Sequence, residues 1–167
     1  MMMSSLTSTQ RQFITFWVDE YLLGLDILDI REINSHMSTT FVPLAPPAVR
    51  GLINLRGQIV TIMDLRFLFG LGHTTLTEET QNIVLKSLAD ENGHGDGGND
   101  RVGLLVDRIG DIITVEENDL EPPPANIGEL DGYYFSQVVK LPQGVASILN
   151  PSHLLEPQQE QPTGKAA

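Results

Sequence analysis

Short β-rich runs make up most of this chain, and their order repeats. The segment Gly24-Leu25-Asp26-Ile27-Leu28-Asp29-Ile30-Arg31-Glu32-Ile33 lies beside Gly103-Leu104-Leu105-Val106-Asp107-Arg108-Ile109-Gly110-Asp111-Ile112. The glycine, the leucine and two isoleucines coincide, and Ile27/Val106 and Glu32/Asp111 are conservative replacements. Further on, Leu44-Ala45-Pro46-Pro47-Ala48 resembles Leu120-Glu121-Pro122-Pro123-Pro124-Ala125, and Ile62-Met63-Asp64 matches Ile148-Leu149-Asn150. Three matches in one order define two related halves of about five strands each. Short strands with Gly and Pro turns in groups of five predict an all-β chain of two small barrels, because closure removes exposed sheet edges.

The boundaries follow from local signals. Residues 1–11 are polar and are expected to be disordered. Gln12–Val18 alternates and is rich in aromatic and β-branched residues, which predicts a strand. Tyr21–Ile33 has apolar residues at helical as well as alternating spacing, and the strand reading is preferred. Pro46-Pro47 stops regular structure after a short extended Phe41–Leu44. Leu52–Leu55 and Ile59–Met63, joined through Arg56-Gly57-Gln58, form a hairpin. Asp64 is a good N-cap for a short helix over Leu65–Leu71 that Gly70 and Gly72 end. In the second half, strands are predicted at Asn82–Leu88, Arg101–Asp107, Asp111–Val115, Tyr133–Leu141 and Val145–Leu149. Asn150-Pro151 then opens a last short helix. The expected units are a first barrel over 12–78, a second over 79–156 with a loop insertion at 90–100, and a disordered tail at 157–167.

With 10 basic and 22 acidic residues the net charge is −12, which disfavours nucleic acid and anionic membrane surfaces as partners. No cysteine is present, so disulfides, thiolate metal ligands and a cysteine nucleophile are excluded. No apolar run reaches the length of a membrane span, and the N-terminal stretch lacks the basic and apolar regions of a secretory signal. A cytoplasmic location is the resulting expectation.

Catalytic signatures are missing. His36, His73, His94 and His153 are scattered without ligand spacing, and no phosphate loop, G-x-S-x-G or H-E-x-x-H occurs. No cofactor or metal is therefore expected. The Asp90–Asp100 loop has carboxylates and glycines but neither the order nor the terminal glutamate of a calcium loop, and it reads as a flexible insertion. Asp26, Asp29 and Glu32 could serve acid–base chemistry, yet a solvated strand face accounts for them better.

The segment from Val49 to Arg66 is harder to set aside. It is apolar enough to be buried, yet it holds Arg50-Gly51, Arg56-Gly57 and Asp64-Leu65-Arg66. Arginine can simply flank a turn. The matching hairpin in the other half, however, turns at Pro142-Gln143-Gly144 without one. The turn alone therefore does not require Arg56, whose charge can be held at a chosen surface point and paired with a carboxylate such as Glu32. Such an exposed pair adds about 0–1 kcal/mol to stability and matters more for partner choice.

These residues resemble the signature of CheW-type chemotaxis coupling proteins, in which G-x-x-N-L-R-G precedes an apolar strand and D-L-R. Here it is Gly51-Leu52-Ile53-Asn54-Leu55-Arg56-Gly57 followed by Asp64-Leu65-Arg66. Gly24-Leu25-Asp26-Ile27, Arg31-Glu32-Ile33, Val102-Gly103-Leu104-Leu105-Val106-Asp107 and Ile148-Leu149-Asn150 agree with it, so the likeness runs over about Arg11–Glu156. The resemblance implies two five-stranded SH3-like barrels packed together, and an adaptor without catalysis or cofactor. Its implied partners are the cytoplasmic tip of methyl-accepting chemoreceptors and the regulatory domain of the histidine kinase CheA, in receptor arrays. By position, Ile30, Glu32, Gly51, Asn54 and Arg56 would line or support the receptor-facing region. The kinase would meet the second barrel through Ile83 and Ile109. Two alternatives stay open: an adaptor of the same fold serving surface motility or second-messenger synthesis, and a ligand-binding barrel using Glu32, Asp29 and His36.

Overall fold

The computed structural model describes residues 9–35, 38–86 and 101–155. The expected disorder of residues 1–8 and of the tail, and the whole of loop 90–100, lie outside that range. The fold is all-β, as expected. It comprises β1 (Gln10–Val18), β2 (Tyr21–Asp26), β3 (Ile30–Ser35), β4 (Val49–Leu55), β5 (Gln58–Asp64), β6 (Gln81–Leu85), β7 (Arg101–Val106) and β8 (Arg108–Glu116). The two-residue strands β9 (Leu120–Glu121), β10 (Asn126–Ile127) and β11 (Leu130–Asp131) follow, then β12 (Phe135–Leu141) and β13 (Gly144–Leu149). Short helices Leu65–Leu68 and Pro151–Leu154 are capped by the side chains of Asp64 and Asn150, as their positions predict. The ambiguous Tyr21–Ile33 run resolves into two strands separated by a 3-10 turn, Ile27–Asp29, capped by Asp26. Asp26 also pairs with Arg11 at 2.8 Å, which orders Gln10 and Arg11 inside β1 rather than in a disordered leader.

Pairing between strands exchanges material between the halves. Of the two large sheets one runs β8-β1-β2-β13-β12-β9 and the other β3-β6-β7-β5-β4, while β10 and β11 pair as a separate two-stranded ribbon. Apart from β9 the two orders correspond element for element. The β1–β2 hairpin sits in the sheet of the second half, and the β6–β7 hairpin sits in the sheet of the first. The division of the chain at 78/79 is therefore corrected: neither sheet is made from one continuous half. The reason is visible at the two parallel seams. Ile148 lies opposite Gly24 in one and Ile62 opposite Gly103 in the other. In each case a Cβ added to the glycine would come within 2.8 Å of the isoleucine Cδ1. The glycine and isoleucine of the sequence repeat thus form notch and knob, and each notch receives the knob of the other half.

Both faces of the seam strands are buried, which explains their near-continuous apolar runs. Leu104 and Val106 of β7 join the largest cluster, with Phe16, Leu23, Leu25, Leu65 and Leu149. Leu105, pointing the other way, packs with Ile53, Val60, Ile62 and Val84. Leu22 and Ile148 do the same in a third cluster with Phe13 and Val139. Each sheet encloses a small core, and the largest cluster draws on strands of both sheets and fastens them together.

Gly103→Ala is expected to lower unfolding free energy by about 1–3 kcal/mol through overpacking. Ile62→Val removes the clashing Cδ1, so the double variant should recover part of that loss in a urea-denaturation cycle. Strict additivity would show that the notch and knob do not meet.

Candidate functional site

The β4–β5 turn is two residues long, Arg56 and Gly57, both at positive φ (52° and 84°). That backbone matches the twist of a tight hairpin, and glycine takes it without steric cost. Asn54 fixes the turn by accepting the Gly57 N–H through Oδ1 at 2.9 Å. Arg56 then stands 73% exposed and donates through Nη2 to Glu32 Oε1. Asn34 donates to the same oxygen at 2.9 Å, and Arg31 Nε is 3.9 Å from Oε2. Glu32 is on β3 and Arg56 follows β4, the two outermost strands of the five-stranded sheet. Their contact spans the sheet's opposite edges, so the sheet is curled and the pair acts as a clasp across its opening. Hydrogen bonds from Asn34, and then from Arg56, hold the Glu32 carboxyl below its ordinary pKa of 4.5.

The other expected receptor-facing residues play supporting parts. Gly51 is buried at a bulge with φ 148°, and a side chain there would strike Thr40 O at 2.6 Å and Thr39 Cβ at 2.8 Å. Ile30 is half-buried against the main core and pairs with Leu85. The two residues expected to meet a kinase differ. Ile83 is 0% exposed between Ile33 and Leu104, so its assignment as a contact is corrected: β6 is a central strand, and this side chain is core. Ile109 is half-buried at the edge of the main core on β8, an outer strand, and Ile112 on the same strand is 61% exposed.

Arg50 is not a turn flank but lies inside β4, and Arg66 lies in the first helix as expected. Asp64 is fully buried and accepts from Thr74 N (2.8 Å), Thr74 Oγ1 (2.6 Å), Phe67 N (3.3 Å) and Arg50 Nη1 (3.2 Å). Arg50 also donates to Thr74 O at 3.1 Å. Arg66 reaches Asp19 Oδ1 at 2.9 Å and Asp107 Oδ2 at 3.4 Å, which ties the first helix to the β1–β2 and β7–β8 connections. Reading Arg50 as a turn residue missed its strut, and placing Arg66 in the short helix gave it no partner. The signal was Asp64 itself, a carboxylate closing an apolar run and needing a buried partner. Of the carboxylates weighed for acid–base work, Asp26 and Glu32 are each engaged by an arginine, while His36 lies outside the described residues. Among the described residues no three His, Asp or Glu side chains gather as a metal site.

Comparison with known proteins fits this geometry. Residues 12–159 match the CheW-like domain. The chain belongs to the CheW family. It is 30% identical over 148 residues to the chemotaxis protein CheW of Treponema pallidum, covering 87% of this chain and 81% of that one. With CheW of Bacillus subtilis it shares 26% over 159 residues, or 95% and 96% of the two chains. A crystal structure of the scaffolding protein TtCheW from Thermoanaerobacter tengcongensis superposes with a TM-score of 0.77 at 29% identity, covering 90% and 95%. Within the CheW signature of this chain, Arg50, Asp64 and Arg66 are internal struts, and Arg56 alone of these is presented to solvent.

Two outcomes follow for this CheW-family chain. Arg50→Ala should cost about 3 kcal/mol or more in urea unfolding, because it strips a counter-ion from a buried carboxylate. Arg56→Ala should cost less than about 1 kcal/mol, since its pair is solvated. Separately, Glu32 should titrate below the ordinary glutamate range by carboxyl NMR, and Asn34→Ala should move it upward. A carboxylate held below its unfolded pKa adds stability present above that pKa and lost as pH falls through the folded value. The clasp should therefore open only below pH 4.5.

Proposed function

We propose that the protein is a non-catalytic coupling protein of chemotaxis, joining the cytoplasmic tip of methyl-accepting chemoreceptors to the regulatory domain of the histidine kinase CheA. The observation that carries this reading is the exposed Arg56 charge, fixed on a pinned hairpin and balanced by Glu32 at the rim of a curled sheet. That arrangement presents a recognisable pair of charges without a chemical task. The names of its relatives, chemotaxis protein CheW and scaffolding protein TtCheW, support the same role.

In this reading Glu32 and Arg56 contact the receptor, Asn54 and Gly51 hold the hairpin and strand that present them, and Ile30 supports β3 from below. The kinase meets β8, where Ile109 forms the edge of the core and Ile112 offers apolar surface. Two separate faces of modest, partly polar area suit reversible assembly. Among the described residues no helix is long and apolar enough to cross a membrane, so a place in membrane-associated receptor clusters in the cytoplasm would come from the partners.

Arg56→Glu sets a second carboxylate beside Glu32 and reverses the presented charge. Binding to a chemoreceptor tip fragment should weaken by about tenfold or more, equal to about 1.4 kcal/mol, with the urea midpoint nearly unchanged. Ile112→Asp should weaken capture of the CheA regulatory domain and leave receptor binding intact. Undiminished ternary assembly in both variants would move the two sites elsewhere on the surface.

A further inference from the structure

The loop that leads into β4 carries large apolar side chains that the fold leaves in water. Phe41 is 77% exposed and Leu44 fully so. Backbone bonds hold both in place. Thr40 and Leu52 exchange two hydrogen bonds of 2.8 and 2.9 Å, Ala45 N donates to Val42 O at 3.3 Å, and Val49 N donates to Pro46 O at 2.9 Å. Leu44 is the third residue of the turn over residues 42–45, after Pro43, and has φ 65°. A turn with that φ favours glycine or asparagine, because a bulky side chain is strained there. Leucine at this point costs backbone strain and exposed apolar surface together, and folding gains nothing from either. Both side chains line a groove of about 370 Å³ whose other walls include Pro46, Pro47 and Val49.

We propose that this groove docks a short acidic peptide segment of a partner protein, with an aromatic or leucine side chain against Phe41 and Leu44 and a neighbouring carboxylate at His73. The polar side chains lining the groove are Arg50, which stays with Asp64, and His73, and no carboxylate lines it. The His73 side chain is 57% exposed and its ring is stacked on Phe67, so an imidazole is held ready to donate. Residues 33–63 contain no Asp or Glu, in a chain that has 22 of them. The net charge of −12 repels an acidic segment from most of the surface and draws a basic one elsewhere, so the groove selects for acid. One loop is a small surface, whereas two folded proteins bring roughly 20–30 residues a side. A second copy, or an anionic bilayer, would also set like charge against like. The groove is separate from the proposed receptor-facing clasp: it adjoins Val49, and the Arg56 turn follows Leu55 at the far end of β4, about 20 Å away by strand rise.

The test pans a library of short random peptides on the full chain. Enriched peptides are expected to combine Phe, Trp or Leu with Asp or Glu, and to shift the amide signals of Phe41, Leu44 and Ala45 and the His73 ring. Leu44→Gly should weaken their binding about tenfold or more, while the urea midpoint stays level or rises, because glycine relieves the strained φ. Changing the peptide carboxylates to amides should weaken binding in the same way. Binding of a chemoreceptor tip fragment should be the same in Leu44→Gly as in the parent chain, so a failure here is distinct from a failure of the clasp reading. The proposal is overturned by no enrichment, by enrichment of basic peptides, by binding unchanged in Leu44→Gly, or by a fall in that variant's urea midpoint. It is equally overturned if Leu44→Gly abolishes self-association in sedimentation, or binding to vesicles of phosphatidylcholine and phosphatidylglycerol, since the loop would then serve a second copy or a bilayer.

Discussion

Asp64 is the constraint around which the first half is built. A carboxylate with no exposed surface is tolerated only where donors replace its water, and four do so here: two from Thr74, one from Phe67 and one from Arg50. Each donor fixes a different element. Phe67 belongs to the helix that Asp64 caps, Thr74 to the loop after it, and Arg50 to β4. The end of β5 is thereby locked to three neighbours by one side chain. The second half meets the same architectural need with Asn150, a neutral amide that accepts from Ser152 at 3.0 Å and demands no counter-ion. The charged latch sits only in the half that presents Arg56, and it holds β4, the strand leading into the Arg56 turn, in place.

The exchanged hairpins set the second level of order. Because β1–β2 belongs to the sheet of the second half and β6–β7 to that of the first, the two sheets cannot part without breaking a seam. Domains joined by a linker and a small interface move relative to one another by default. Here the seam strands carry one barrel core on one face and the shared cluster on the other, so displacement of either sheet is felt by both. Arg66 reinforces this from the outside by holding the equivalent corners at Asp19 and Asp107 together. A body of this kind would keep the two proposed contact faces in a fixed relation.

Much of this was legible in the sequence because it is local. Strand alternation, the Arg56-Gly57 turn, the Asp64 and Asn150 caps and the Glu32–Arg56 pair all depend on a few neighbouring residues or on one complementary pair of charges. The repeat itself was legible too, but not its crossing. Gly24 and Gly103 mark where a side chain is excluded, and nothing nearby says whether Ile62 or Ile148 fills the space. Ile83 failed as a surface residue for a related reason. Strands buried on both faces lose the alternation that separates inside from outside, so Asn82-Ile83-Val84-Leu85 offers no pattern from which exposure can be read. The struts of Arg50 and Arg66 were hidden because many carboxylates could serve each arginine, and only the folded strands bring Asp64 to Arg50, and Asp19 and Asp107 to Arg66.

The contrast among the arginines bears on how a coupling surface can be made. Arg50 and Arg66 are held by carboxylates in places where losing them would leave buried or half-buried charge, so neither can be offered to a partner. Arg56 differs in that its exposed pair with Glu32 contributes little to folding. A partner carboxylate could therefore take over Arg56 at small cost to the fold, while Asn34 continues to satisfy Glu32. In the proposed reading, stability and recognition fall to different arginines of one short segment. Arg56, the arginine presented to solvent, is set on a left-handed turn at the tip of a hairpin, where the backbone, rather than the ion pair, fixes where its charge begins.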